Sequence, residues 1–145
     1  MKFNYTKLPS LDPISGERGD ILRPIISIDI SHNSGWFSDV YQIQLTALID
    51  SGADRNVAPL PIAKMLGVDL SKIKPIETSG IGKGTVSTYY TMVYFKIGGY
   101  EYEAPIGFGD SFPMILLGGQ GFFDHWKVNF DYPRDIEIKF KTTFH

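Results

Sequence analysis

Cysteine is absent from the 145-residue chain. The protein therefore has no disulfide, no thiolate metal ligand and no cysteine nucleophile. Long apolar runs are missing too, since no stretch approaches the roughly 18 residues that indicate a transmembrane helix. The first residues, 1–7, also lack the apolar segment of a secretory signal. We therefore expect no membrane association and favour a cytoplasmic location, although the compartment itself is not determined by the sequence.

A strong excess of one charge is also absent. Fourteen Lys and Arg residues stand against 16 Asp and Glu residues, for a net charge of -2. This balance argues against nucleic acid as a partner, because nucleic-acid binding needs a concentrated basic surface. The three histidines, at positions 32, 125 and 145, are scattered rather than spaced as metal ligands, so we expect no metal.

What the chain does contain is typical of one globular domain. Apolar residues make up 43% and charged residues 21% of the sequence, which excludes a disordered chain. Residues 1–22 carry prolines and glycines that interrupt any periodicity, namely Pro9, Pro13, Gly16 and Gly19. We interpret residues 1–22 as an irregular amino-terminal arm or leader, and residues 23–145 as the domain.

Alternating apolar and polar residues predict β-strands through most of the domain. Strands are expected around residues 24–31, 41–49, 85–97, 100–106, 114–117, 128–130 and 136–140. Gly98-Gly99 suits a two-residue hairpin turn. A short helix is expected from Pro61 to Leu66, closed by Gly67, and a helical turn from Gly121 to His125. The pattern predicts a mainly β protein, either a barrel or a sandwich.

The most specific chemical signal is Asp50-Ser51-Gly52-Ala53, directly after an apolar strand. A strand that ends in a tight turn can hold a carboxylate in a fixed position, as general acid–base catalysis requires. Gly52 is expected to adopt a backbone conformation that other residues resist, and Ser51 to form local hydrogen bonds. Without further motifs, Asp50-Ser51-Gly52 is also consistent with an ordinary turn.

Together with two further motifs, this segment resembles the retropepsin-like aspartic peptidases, the single-domain relatives of pepsin. The first motif is Leu48-Ile49 followed by Asp50-Ser51-Gly52-Ala53, and the second is the apolar run Ile115-Leu116-Leu117 followed by Gly118. Between them lies a glycine-rich segment in the place of the family's flap, Ser79-Gly80-Ile81-Gly82-Lys83-Gly84. That segment has neither the spacing of a phosphate-binding P-loop nor that of a dinucleotide-binding motif. The resemblance covers roughly residues 24–140.

The resemblance implies a closed antiparallel β-barrel with one or two short helices, and a role for each matching residue. Asp50 would be the catalytic aspartate, in a loop completed by Ser51, Gly52 and Ala53, with Ser51 bonded to its counterpart in a second subunit. Asp54 would face the backbone of the bound peptide. The flap residues Gly80, Ile81, Gly82, Lys83 and Gly84 would close over the substrate, and Leu116, Leu117 and Gly118 would support the loop.

The same resemblance implies an aspartic endopeptidase that acts on polypeptides without a metal or another cofactor. Its chemistry needs two carboxylates that share one proton around a water molecule. Because the chain has a single Asp-Ser-Gly, we expect a homodimer formed through the active-site face, with one Asp50 from each subunit.

One departure from the family pattern leaves an alternative open. Retroviral members usually carry an arginine that braces the dimer after the glycine of the second motif, where this chain has Gly119. Arg55 and Arg134 are the candidate replacements. The alternative is therefore a non-catalytic module of the same fold, used for dimerisation or peptide binding.

Overall fold

The computed structural model describes residues 1–32, 43–79 and 84–142. Within these ranges the chain forms twelve β-strands and one α-helix, α1. The strands are β1 Lys2–Asn4, β2 Thr6–Leu11, β3 Arg18–Arg23, β4 Ile25–Ser31, β5 Ile43–Ile49, β6 Val57–Pro59, β7 Ile76–Ser79, β8 Thr85–Ile97, β9 Tyr100–Gly109, β10 Ile115–Leu117, β11 Trp126–Asp131 and β12 Asp135–Phe140, and α1 is Leu60–Met65. The tip of the expected flap, residues 33–42 and the last three residues lie outside the described ranges.

Six of the strands close into a barrel. The order of pairing is β4, β5, β10, β6, β9 and β8, and β4 pairs with β8 to complete the ring. The predicted closed β-barrel is thus confirmed, with one refinement in strand direction. The β5–β10 and β6–β9 pairs are parallel, and the other four pairs are antiparallel. The barrel is therefore mixed.

The barrel interior is filled by the apolar residues that alternate along its strands. In β4, Ile26, Ile28 and Ile30 are almost completely buried, whereas Ser27 is exposed. Side chains from β8, β9 and β12 complete the same core. The long β8–β9 hairpin turns at Gly98-Gly99, where both residues have positive φ, as the predicted two-residue hairpin requires.

The short helix is confirmed to within one residue. It covers Leu60–Met65, and Leu66 caps it before Gly67, whose φ of 74° ends the helical conformation. A single 3₁₀ turn follows at Leu70–Lys72. The predicted turn near Gly121 is also present, with Trp126 N–H donating to the carbonyl of Phe122 over 2.8 Å.

The amino-terminal segment differs from the prediction, because it is not irregular. Strand β1 pairs with β12 and extends the β11–β12 sheet. Strands β2 and β3 form a separate hairpin, in which Leu8 faces Ile21. Half-buried and exposed residues alternate along β2, but Pro9 obscures this pattern in the sequence because proline ordinarily indicates an interruption. Proline is nevertheless tolerated in an edge strand of this kind. The division into an arm (1–22) and a domain (23–145) remains a prediction.

Within the described part of the chain, no helix has the length and apolar character needed to cross a membrane.

Candidate active site

Asp50 lies where strand β5 leaves the barrel wall. Its backbone N–H donates to the carbonyl of Leu117 over 2.9 Å, so the neighbouring strand β10 fixes the start of the loop. The turn closes when Ala53 N–H donates to the Asp50 carbonyl over 3.1 Å. The Asp50 carboxylate accepts the backbone N–H of Gly52 through Oδ1 over 2.9 Å and stays partly exposed. The loop therefore presents a carboxylate in one defined orientation.

The structural roles of Gly52 and Ser51 in the loop differ from those predicted. Gly52 does not have a positive φ, so the expectation of a special backbone conformation is wrong. Glycine instead leaves space, because a Cβ there would lie 3.2 Å from Oδ1 of Asp50. Ser51 is exposed, and no described residue hydrogen-bonds its hydroxyl, so the expected local bond of Ser51 is also missing.

The second motif lies directly behind the Asp50 loop, as the resemblance implies. Leu116 and Leu117 pair in parallel with Leu48 and Ile49. Gly118 then approaches the loop so closely that a Cβ on it would lie 2.6 Å from the carbonyl oxygens of both Ala53 and Arg55. Backbone bonds hold the two segments together, among them Gly119 N–H to the Ala53 carbonyl, 2.9 Å, and Gln120 N–H to the Asp54 carbonyl, 2.8 Å.

Sequence reasoning missed Asn56, which joins these segments through its side chain. Asn56 is fully buried. Its Oδ1 accepts the N–H of Gly118 over 3.0 Å, and its Nδ2 donates to the carbonyl of Pro105 over 3.2 Å. A buried asparagine of this kind has no sequence signal, because an asparagine between two segments ordinarily indicates an exposed turn.

Two cavities border the loop, on different sides. One, of about 310 Å³, is lined by Asp50 and Ser51 together with Arg23, Pro24, Leu48, Ile49 and Phe130. The other, of about 690 Å³, is lined by Ala53, Asp54 and Leu116 together with Arg55, Val57, Ile76, Thr78, Tyr90 and Phe112. Asp50 and Asp54 thus line different members of this pair of cavities.

The stem of the expected flap is a regular hairpin that borders the larger cavity. Strands β7 and β8 pair from Ile76 opposite Thr88 to Ser79 opposite Thr85. Gly84, at the base of the tip, is exposed and has a φ of 92°. The tip residues Gly80, Ile81, Gly82 and Lys83 lie outside the described residues.

The two arginines that were candidates to brace a dimer have other neighbours within the chain. Arg134 forms an ion pair with Asp131 at 2.6 Å across the β11–β12 turn. The guanidinium of Arg55 lies over the ring of Tyr90, 5.3 Å from its centre. Each arginine thus has a local contact within its own subunit.

No candidate metal site is found in the part of the chain that the structure describes. No three His, Asp or Glu side chains group together there in a way that could hold an ion.

His125 lies beside Asp124, whose Oδ1 accepts the N–H of Gly121 over 3.0 Å. Burial lowers the pKa of His125, against the opposing effect of Asp124, so burial dominates its electrostatics.

Comparison with solved structures identifies the fold. No protein-family model and no curated protein matches the sequence. A retropepsin-like aspartic protease from Rickettsia conorii superposes with a TM-score of 0.59 at 18% sequence identity, over 91% of this chain and 98% of that one. The EIAV protease in complex with an inhibitor gives a TM-score of 0.46 at 26% identity, over 66% of this chain and 81% of that one. The chain has the fold of the retropepsin-like aspartic proteases.

Proposed function

We propose that the protein is an aspartic endopeptidase and that Asp50 is its catalytic residue. The observation that carries this proposal is the setting of the Asp50 carboxylate. Its backbone is fixed by Leu117, but its side chain is bonded only to Gly52, two residues away, among the residues that the structure describes. A polar side chain with a structural role is expected to join distant segments of the chain, as the amide of Asn56 does. A carboxylate kept for chemistry needs a fixed orientation and access to a reactant.

The reaction needs two such carboxylates. Like charges in close contact disfavour simultaneous ionisation, so a pair of Asp50 side chains would retain one proton between them. The ionised Asp50 would accept a proton from water while the water oxygen bonds to the peptide carbonyl carbon. The protonated Asp50 would donate its proton to the carbonyl oxygen. When the C–N bond breaks, the first Asp50 passes the proton it took from water to the departing nitrogen, and a hydroxyl proton of the intermediate diol passes to the second Asp50. This leaves an acid and an amine, and one proton again shared by the pair.

A homodimer through the active-site face would supply the second carboxylate. The β2–β3 hairpin supports this arrangement, because its base adjoins the loop: Arg23 and Pro24 line the same cavity as Asp50. An isolated two-stranded hairpin is only marginally stable in water. This hairpin nevertheless exposes Leu11 (62%) and Ile14 (96%). We propose that these side chains contact the second subunit, which makes residues 1–22 a pairing arm rather than a processing segment.

The substrate of this enzyme would be an extended polypeptide, bound by strand-like backbone hydrogen bonds. Asp54 would accept from the peptide backbone, and the segment from Gly80 to Gly84 would cover the bound chain. Leu116, Leu117 and Gly118 would keep the loop in place from behind. The proposed reaction uses no cofactor, since the water is activated by carboxylates alone.

The decisive experiment replaces Asp50 by asparagine. Asparagine keeps an oxygen that can accept the Gly52 N–H, so the fold should survive while turnover falls by about a thousandfold or more. Peptide cleavage between about pH 4 and 7, with and without a statine-type inhibitor, measures the activity. Asp110→Asn is the matched control and should keep full activity, because Asp110 is an exposed carboxylate that lines neither cavity beside the loop.

The alternative function is a non-catalytic module for dimerisation or peptide binding, and the observation that favours it is Gly119. Glycine at that position offers no side chain to brace a dimer. If the purified dimer cleaves no peptide, and Asp50→Asn changes neither peptide binding nor self-processing, the module is the better interpretation. Loss of folding in Asp50→Asn would instead indicate a structural carboxylate.

A further inference from the structure

The larger cavity beside the Asp50 loop combines one cation with apolar walls. Its volume is about 690 Å³, and Arg55 contributes the positive charge. Apolar and aromatic residues form most of the remaining wall, namely Val57, Ile76, Tyr90, Phe112 and Leu116. Such a lining suits a side chain that has an apolar stem and a negatively charged end.

Arg55 lies over an aromatic ring and is exposed to solvent. Its guanidinium carbon lies 5.3 Å from the centre of the Tyr90 ring, within the range of a cation–π contact. None of the ion pairs found in the described part of the chain includes Arg55. The N–H groups of a guanidinium match the two oxygens of a carboxylate.

The backbone next to Arg55 is also fixed. Arg55 forms a parallel bridge with Gln120, and its neighbour Asn56 is fully buried. The backbone that carries the Arg55 side chain therefore belongs to the framework that sets the Asp50 loop. Preorganisation of this kind lowers the entropic cost of binding.

We propose that this cavity binds an acidic side chain of the polypeptide substrate and that Arg55 determines this specificity. The inference rests on the proposed function, since it assumes that a polypeptide lies across the Asp50 loop. Asp54 lines the same cavity and carries the opposite charge. In the proposed complex the Asp54 carboxylate is engaged by the peptide backbone, which leaves Arg55 as the charge that faces the substrate side chain.

Cleavage of synthetic peptide pools tests the proposal. In each pool of decapeptides one position is held as Glu, Gln or Lys, and the others are random. At one position at least, kcat/KM for Glu should exceed that for Gln by about tenfold, the scale of one charge-assisted hydrogen bond. Arg55→Ala should reduce this ratio to within about twofold, and Arg55→Glu should reverse it in favour of Lys. Arg55→Lys should retain part of the preference, because it keeps the charge but loses the planar fork.

Lys127→Ala is the matched control, since Lys127 is an exposed cation on β11 that lines neither cavity beside the loop and should leave the preference unchanged. A second readout separates this proposal from the catalytic one. Immobilised Asp50→Asn protein is incubated with the same pools, and the retained peptides are identified by mass spectrometry. Enrichment of acidic residues that disappears in the Asp50→Asn/Arg55→Ala protein supports the pocket, even if the wild type cleaves nothing.

Three results would overturn the proposal: no acidic preference in cleavage or retention, a preference that persists without Arg55, or no retention of any peptide. Circular dichroism of each variant checks that the barrel is intact.

Discussion

Asn56 is expected to contribute more to the stability of the barrel than any other polar side chain around the Asp50 loop. It is fully buried and bonds two segments that are distant in sequence, Gly118 and Pro105. Asn56→Ala removes both bonds at once. The N–H of Gly118 is buried as well, so no solvent is available to replace the lost acceptor.

The magnitude follows from these contacts. A buried donor left without a partner costs about 1–3 kcal/mol. The Pro105 carbonyl belongs to a half-buried residue and can regain water, so it adds less. With the small cavity left by the amide, the total is about 2–4 kcal/mol, a large part of the 5–15 kcal/mol typical of a domain. At about 3 °C for each kcal/mol in a chain of this length, the midpoint of unfolding should fall by roughly 6–12 °C.

Thermal and urea unfolding, followed by circular dichroism, measure this loss. Wild type and variant must be compared at one protein concentration, because the proposed dimerisation would make the midpoint depend on concentration. Asn129→Ala is the matched control: Asn129 is exposed on β11, and its replacement should change stability by less than about 0.5 kcal/mol. A midpoint for Asn56→Ala within about 2 °C of wild type would refute the reasoning.

The remaining predictions concern pH and assembly. Burial lowers the pKa of His125, so this histidine binds a proton more readily in the unfolded chain than in the folded one. The contribution of His125 to stability should therefore be constant above about pH 7. It should fall as the pH drops below the ordinary histidine pKa of about 6.5. Urea unfolding measured from pH 7 to 5 should show this fall in the free energy of unfolding. His125→Gln should flatten the dependence on pH, and the control His32→Gln should leave it in place. An unchanged dependence in His125→Gln contradicts the assignment to His125. For the hairpin, Leu11→Ser/Ile14→Ser should raise the dissociation constant of the dimer by about tenfold or more in sedimentation equilibrium, because apolar surface at the contact is lost. Met65→Ser, which replaces another exposed apolar residue (48%) on α1, is the control, and an unchanged mass for the hairpin variant would remove these residues from the interface.

Local patterns in the sequence predicted most of the barrel. Alternation placed Ile26, Ile28 and Ile30 in the core, and Gly98-Gly99 marked a hairpin that the structure contains. These features depend on neighbours in the sequence, which is why periodicity and turn residues reveal them. The flap tip stays a prediction, since it lies outside the described residues.

Features set by distant contacts could not be predicted in this way. Strand β6 has only three residues, too few for a period, and its parallel pairing with β9 depends on the closure of the barrel. Gly52 and Gly118 were recognised as motif residues, but the close approach that requires glycine at Gly118 involves carbonyls more than sixty positions away. The hairpin at residues 6–23 was missed because Pro9 and Gly19 were interpreted as interruptions. In the structure Pro9 pairs with Asp20 and Gly19 pairs with Ser10, in a two-stranded ribbon where both strands are edge strands.

The variants at Asp50 and Asn56 together separate the chemistry of the site from its framework. Asp50 bonds within its own turn, so its replacement by asparagine should affect turnover and spare stability. Asn56 bonds across the barrel, so its replacement by alanine should lower stability, and should lower activity only as far as the loop is displaced. If Asp50 belongs to a framework instead, the two variants should both unfold more easily, and the double variant should depart from the sum of their effects, since coupled residues are not additive. If the effects on stability add, and only the Asn56 variant is less stable, then the Asp50 carboxylate serves catalysis and the Asn56 amide serves the stability of the fold.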